Sequence, residues 1–141
     1  MKNVWIVLVL LNMFTAVLLY TTLAVAQDPR EGAKVTATAQ NWLTLIDQKK
    51  YGESWELVAD EFKKKTSKKA WVASIKRFRK SLGELKQRSL MSLAYHPQER
   101  KTPLSCTLYF HGEYANRTAP LETVLLVYEN DQWKVAGYYV K

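Results

Sequence analysis

FKKKTSKKAWVASIKRFRKSLG, residues Phe62–Gly83, sets both the charge of the chain and the helical half of its fold. The stretch holds nine Lys and Arg residues and no acid. All 141 residues together carry 21 Lys and Arg against 13 Asp and Glu, a formal net charge of +8. This one segment therefore outweighs the whole positive balance, and the rest of the chain is slightly acidic. Trp71, Ile75, Phe78 and Leu82 recur at i, i+4, i+7 and i+11, which at about 100° per residue confines them to a sector of roughly 60°. The spacing predicts a core helix. Ser67 can cap its first turn, and Gly83 is the residue type favoured just past its last.

The basic residues of this helix divide into two kinds. Lys69, Lys76 and Lys80 fall opposite the apolar stripe, where they form either a solvated face or a surface for an anionic partner. Lys68 and Lys69 stand at the positive end of the helix dipole, so helix stability does not explain them. Arg79 differs, because it projects to the edge of the stripe beside Val72. A half-buried guanidinium there needs a carboxylate, and Glu122 or Glu113 is the expected partner. These two acids are expected to pair with Arg79 or Arg88 and so hold helix and sheet together.

Length allows one domain, and the apolar content is ample for a packed core. The single cysteine, Cys106, excludes an intramolecular disulfide. It alternates with Leu108 and Phe110 and reads as a buried thiol. Neither it nor His96 and His111 shows metal-ligand spacing. There is no G-x-S-x-G, no phosphate-cradling glycine loop and no Cys/His pair of known spacing, so no catalytic, cofactor or metal residue is assigned. No stretch names a reaction.

Taken in order, Met1–Ala26 has one charge, Lys2, then the apolar run Val4–Tyr20 and an A-x-A site at Ala24-Val25-Ala26. That is the anatomy of a secretory signal peptide cleaved after Ala26, leaving 27–141 as a single exported domain, periplasmic or secreted. The alternative is an uncleaved anchor that tethers the same domain to the membrane. Export removes nucleic acid as a partner of the lysines and leaves an envelope protein or anionic surface. Asp28-Pro29-Arg30-Glu31 reads as a helix start. Val35, Ala39, Trp42 and Ile46 carry that helix to about Asp47, and Tyr51, Trp55, Val58 and Phe62 predict a shorter second one. The basic helix is the third.

After Gly83 the period changes from helical to two. Strands are expected over Arg88–Tyr95, with Met91, Leu93 and Tyr95 on one face, and over Leu104–Tyr114. Two more follow over Leu121–Tyr128 and Trp133–Val140. A polar loop, His96–Pro103, joins the first two, Ala115–Pro120 is a turn, and Asn130-Asp131 a tight hairpin. The plan is α+β, three N-terminal helices packed on a curved four-stranded antiparallel sheet.

Trp42-Leu43, Asp47, Tyr51 and Ser54-Trp55 read as W-L-x-x-x-D-x-x-x-Y-x-x-S-W. Trp71, Arg79-x-x-Leu82-Gly83, Arg88, Glu122-Thr123 and Trp133-x-x-x-Gly137-Tyr138-Tyr139 follow. In this order they resemble a family of small exported bacterial proteins, the domain of unknown function numbered four-zero-one-nine. The resemblance covers Trp42 to Lys141. It departs in the His96–Pro103 loop and at Gln132, where the family tends to have glycine. More distantly, the helix pair before a curved sheet looks like the nuclear-transport-factor-2-like cone, a fold that hosts enzymes and binding modules alike.

A cone places a pocket between helices and sheet, and the candidates for its polar groups are Asp47, Tyr51, Arg79, Glu113, Glu122 and Tyr138, with Trp55 as core anchor or ligand platform. Two functions fit. One is a non-catalytic exported binding or accessory module. The other is a small hydrolase or isomerase using a pocket carboxylate with Tyr or Arg. An enclosed pocket with an unpaired Glu or Asp at its base would favour the second, and a pocket filled by Trp and Tyr side chains the first.

Overall fold

The chain leaves helical periodicity at Gly83 and never returns to it. The computed structural model describes residues 29–99 and 104–141. The signal peptide expected over 1–26, the Asp28 cap and the end of the polar loop lie outside the described residues. Four helices precede the sheet: α1 (Pro29–Asp47), α2 (Tyr51–Glu56), α3 (Asp60–Lys65) and α4 (Lys68–Leu82). Strands β1 (Leu85–His96), β2 (Ser105–Tyr114), β3 (Arg117–Glu129) and β4 (Gln132–Val140) form one antiparallel meander in the order β1-β2-β3-β4. Among the described residues no helix is long and apolar enough to cross a membrane.

The apolar stripes meet on one face of the sheet. Val35, Ala39, Trp42 and Ile46 of α1 and Trp71 and Ile75 of α4 pack on Cys106, Leu108 and Phe110 of β2 and on Val124 and Leu126 of β3. The ends of α4 are as its sequence predicts. Ser67 Oγ accepts from Ala70 N at 3.2 Å, and Gly83 closes the helix at φ 77°. A Cβ there would meet Ala115 Cβ and Asn116 Nδ2 at 3.0 Å, so both conformation and space require glycine. Along the stripe the order changes, for Arg79 is buried whereas Phe78 is only half-buried.

Three expectations need correction. The second helix is two, broken at Leu57-Val58-Ala59. The break has a tertiary cause. Ala59 N donates to Val135 O at 2.8 Å and Val135 N to Leu57 O at 3.3 Å, making a parallel bridge between Val58 and Val135 of β4. Helical spacing through Val58 survives because Val58 is buried either way. Next, Ala115–Pro120 is not a six-residue turn. Only Ala115-Asn116 turns, and Pro120 lies in β3, at a bulge between the pairs Glu113↔Thr118 and His111↔Leu121. There its missing N–H costs no ladder bond. Finally, Met91 does not share a face with Leu93 and Tyr95. β1 bulges between Leu90 and Ser92, which throws Met91 out to solvent.

Two tryptophans end on one serine. Trp42 Nε1 donates to Ser54 O and Trp71 Nε1 to Ser54 Oγ, each at 3.0 Å, while Ser54 Oγ donates to Tyr51 O at 2.8 Å. Ser54 is wholly buried, so removing its hydroxyl strands an indole N–H. Ser54→Ala should cost about 1–3 kcal/mol in urea unfolding. The cost should shrink in a Trp71→Phe background, and an equal cost in both backgrounds would show that this bond contributes nothing.

Candidate functional site

The helical and sheet layers are joined by six polar side chains in the core: Asp47, Arg79, Arg88, Tyr114, Glu122 and Tyr138. Asp47 ends α1, Arg79 is in the last turn of α4, and Arg88 is near the start of β1. Tyr114 and Glu122 come from β2 and β3, and Tyr138 from β4. Arg88 holds both acids. Its Nη1 donates to Asp47 Oδ2 at 2.6 Å and its Nε to Glu122 Oε1 at 2.9 Å, with Nη2 3.1 Å from Asp47 Oδ1 and from Glu122 Oε2. Arg79 Nη2 donates to Asp47 Oδ1 at 2.7 Å and its Nη1 to Tyr114 Oη at 2.5 Å. Tyr138 Oη donates to Glu122 Oε2 at 2.8 Å. Two carboxylates face two guanidiniums, and the charges balance.

Register makes the cluster possible. Gly112 lies opposite Arg88 across the β1–β2 ladder, and a Cβ on it would come within 2.7 Å of Glu122 Oε1. Only glycine leaves Glu122 its place, where the side chain has 0% exposure. Such a carboxylate persists as a charge only when paired, and here it accepts from Arg88 twice and from Tyr138. Burial opposes the Arg88 charge, but hydrogen bonds to Asp47 and Glu122 outweigh it and raise the guanidinium well above its ordinary value. Arg79 is raised too. Burial again opposes the charge, and attraction to the oxygens of Tyr138, Tyr114 and Asp47 prevails. Burial, with the Glu122 charge beside them, pushes the Tyr138 phenol far up and the Tyr114 phenol up.

Beside the cluster is an open cleft of about 930 Å³, bounded by the ends of α1 and α4, the start of α2 and the start of β1. Val72 and Leu85, both half-buried, supply apolar wall next to the buried Ile46 and Tyr51, and Asp47 and Arg79 reach it from the cluster. Lys49, Lys76, Lys80 and Glu84 bring further charges to it. Among the described residues none of those three lysines is in an ion pair. Lys69 is exposed like Lys76 and Lys80 but does not line the cleft.

Of the candidate pocket residues, then, Asp47, Tyr51 and Arg79 meet at the cleft. Glu122 and Tyr138 are behind it in the cluster. Trp55 is a core anchor, its ring 6.0 Å from Phe62. Glu113 is elsewhere, on the far face of β2, exposed and 3.7 Å from Lys86. The expected bridge from Arg79 to Glu122 or Glu113 is not formed. Arg79 takes Asp47 instead, while Glu122 pairs with Arg88, the other arginine expected for it. Tyr114 is an unforeseen member, although it is in phase with Cys106, Leu108 and Phe110 on the inner face. Among the described residues no three metal-ligating side chains converge, and His96 is 2.9 Å from Thr107 Oγ1.

Fold and cluster together define a class: helices laid on one face of a four-stranded meander and fastened to it by buried arginine–carboxylate pairs. The chain belongs to the family described as a protein of unknown function (DUF4019), whose model matches residues 38–138. All six members of the cluster fall inside the matched span. No curated protein matches the chain, and no solved structure does.

Removing one side of a buried pair leaves an uncompensated charge, so Arg88→Ala should cost about 3–5 kcal/mol. Arg79→Ala leaves Asp47 still held by Arg88 and should cost less, about 1–3 kcal/mol. Denaturant unfolding checks the ranking, and the reverse order would move the keystone to Arg79.

The two phenols set an alkaline limit. Folded, Tyr114 and Tyr138 keep protons that the unfolded chain releases at the usual phenol value of about 10. The native state then binds more protons, so stability is intact below about pH 10 and falls as pH rises above it. Melting temperature against pH should show this decline, and Tyr138→Phe should flatten it.

Proposed function

We propose that the chain is an exported, non-catalytic binding or accessory module that works through its open cleft, on a cone of the nuclear-transport-factor-2-like kind. The observation that carries the reading is the saturation of the two cluster carboxylates, Asp47 and Glu122; the third acid at the cleft, Glu84, is exposed at its rim. A pocket hydrolase or isomerase needs an acid free to take or give a proton within reach of substrate. Asp47, the cluster acid at the cleft, accepts from two arginines, and Glu122 accepts from Arg88 and Tyr138. Either would have to abandon charge-assisted bonds to act as a base. What remains at the cleft is apolar wall, with three lysines and the exposed Glu84 beside it and a volume suited to a small ligand. The cone reading is supported by the helices packed on one face of an antiparallel meander whose ladders all carry bulges. Export rests on Lys2, the apolar run Val4–Tyr20 and the A-x-A site, which favour a periplasmic or secreted module over a tethered one.

Native mass spectrometry of the protein recovered from the periplasm tests this reading. The polypeptide should begin at Gln27 and carry a bound species. Val72→Trp, which fills the cleft from a half-buried wall position, should lose that species while the melting temperature shifts by only a few degrees. Retention of the species by Val72→Trp would remove the cleft from the reading. A turnover lost in Asp47→Asn would replace the module with an enzyme.

A further inference from the structure

We propose that the cleft takes a small amphiphile with a single anionic head group, its apolar body against Val72 and Leu85 and its head among Lys49, Lys76 and Lys80. The inference rests on the binding reading above and names the ligand class for the same cleft. The charges decide the sign. The Arg79, Arg88, Asp47 and Glu122 cluster is self-neutral, which leaves three lysines against Glu84 at the cleft. Two helices, α1 and α4, also end here, and each C-terminus presents about half a negative charge. The start of α2, which also borders the cleft, offsets part of this, so the remainder is between about one and two positive charges. That suits a monoanion such as a carboxylate, and disfavours a polyanion or a cation.

The walls decide the rest. A bare anion would occupy a small part of about 930 Å³ and would leave the half-buried apolar side chains of Val72 and Leu85 facing water. An acyl or aryl body on the same molecule would cover them. The lysines are long, exposed and unengaged among the described residues, so they can close on a head group at little cost in broken contacts.

The test is calorimetric titration of the protein, produced from the full-length chain, with four probes. These are octanoate (head and body), acetate (head alone), octanol (body alone) and octylamine (opposite charge). Octanoate should bind at least tenfold more tightly than the other three. Lys76→Gln with Lys80→Gln should weaken octanoate about tenfold, leave octanol unchanged and sharply reduce the salt dependence, Lys49 remaining. Both positions are exposed, so the double variant should keep its melting temperature. Octanol binding as tightly as octanoate would overturn the anionic head while leaving a binding cleft. Tighter octylamine would overturn the sign. Lysine-dependent flotation with phosphatidylglycerol vesicles, without octanoate binding, would assign the lysines to a membrane surface and overturn the inference. Absence of binding by every probe would also overturn it, and the native mass measurement would then decide separately whether the cleft holds anything.

Discussion

One guanidinium decides how the two halves of this fold meet. Arg88 leaves β1, forks around Glu122 on β3 and reaches Asp47 at the end of α1. Most of the helix–sheet contact is apolar and non-directional, and such contact tolerates sliding. A bidentate arginine between two carboxylates does not, because its donors have fixed angles and each lost bond strands a buried charge. The cluster therefore sets the position of the α1 end and, through Arg79, of the α4 end. Those are the two helix ends that bound the cleft. Its shape is a by-product of an electrostatic constraint.

Basic charge on α4 is sorted by depth. Arg79 points inward and belongs to a neutral cluster, while Lys69, Lys76, Arg77 and Lys80 remain at the surface. The choice of residue follows the chemistry. Arginine keeps its charge when buried and engages two partners at once, whereas lysine, on a flexible stem, is better kept in water. At the start of the same helix, Lys68 meets Glu56 of α2 at 2.5 Å in an exposed pair, which contributes little to stability.

How much of this was legible follows from what each element depends on. The stripes of α1 and α4, the Ser67 and Gly83 ends and the Asn130-Asp131 hairpin depend on local pattern, and the sequence predicts them. The hairpin turn has φ of 50° and 59°, as a two-residue loop of that type requires. The α2–α3 break, the bulge at Met91 and the place of Pro120 depend on a partner strand, which no local spacing reports. Within the site, the need of Arg79 for an acid was legible and the identity of that acid was not. Asp47 and Glu122 are both on the inner side, and the assignment between them turns on where Arg88 enters. Arg88 follows a register shift between Leu85 and Gln87, so period-two counting misplaces it. Tyr114 was within reach of that counting, since it continues the inward series of β2.

The interrupted second helix has a consequence for the rim of the sheet. An open meander ends in two strands with main-chain groups turned outward, and such rims recruit strands from other molecules. On β4 the outward N–H and C=O of Val135 are already taken by Leu57 O and Ala59 N. On β1 two irregularities, between Leu85 and Gln87 and between Leu90 and Ser92, spoil the straight ladder that an incoming strand would need. The chain gives up a turn of helix between Glu56 and Asp60, and the same residues obstruct a rim through which these molecules could stack into fibres.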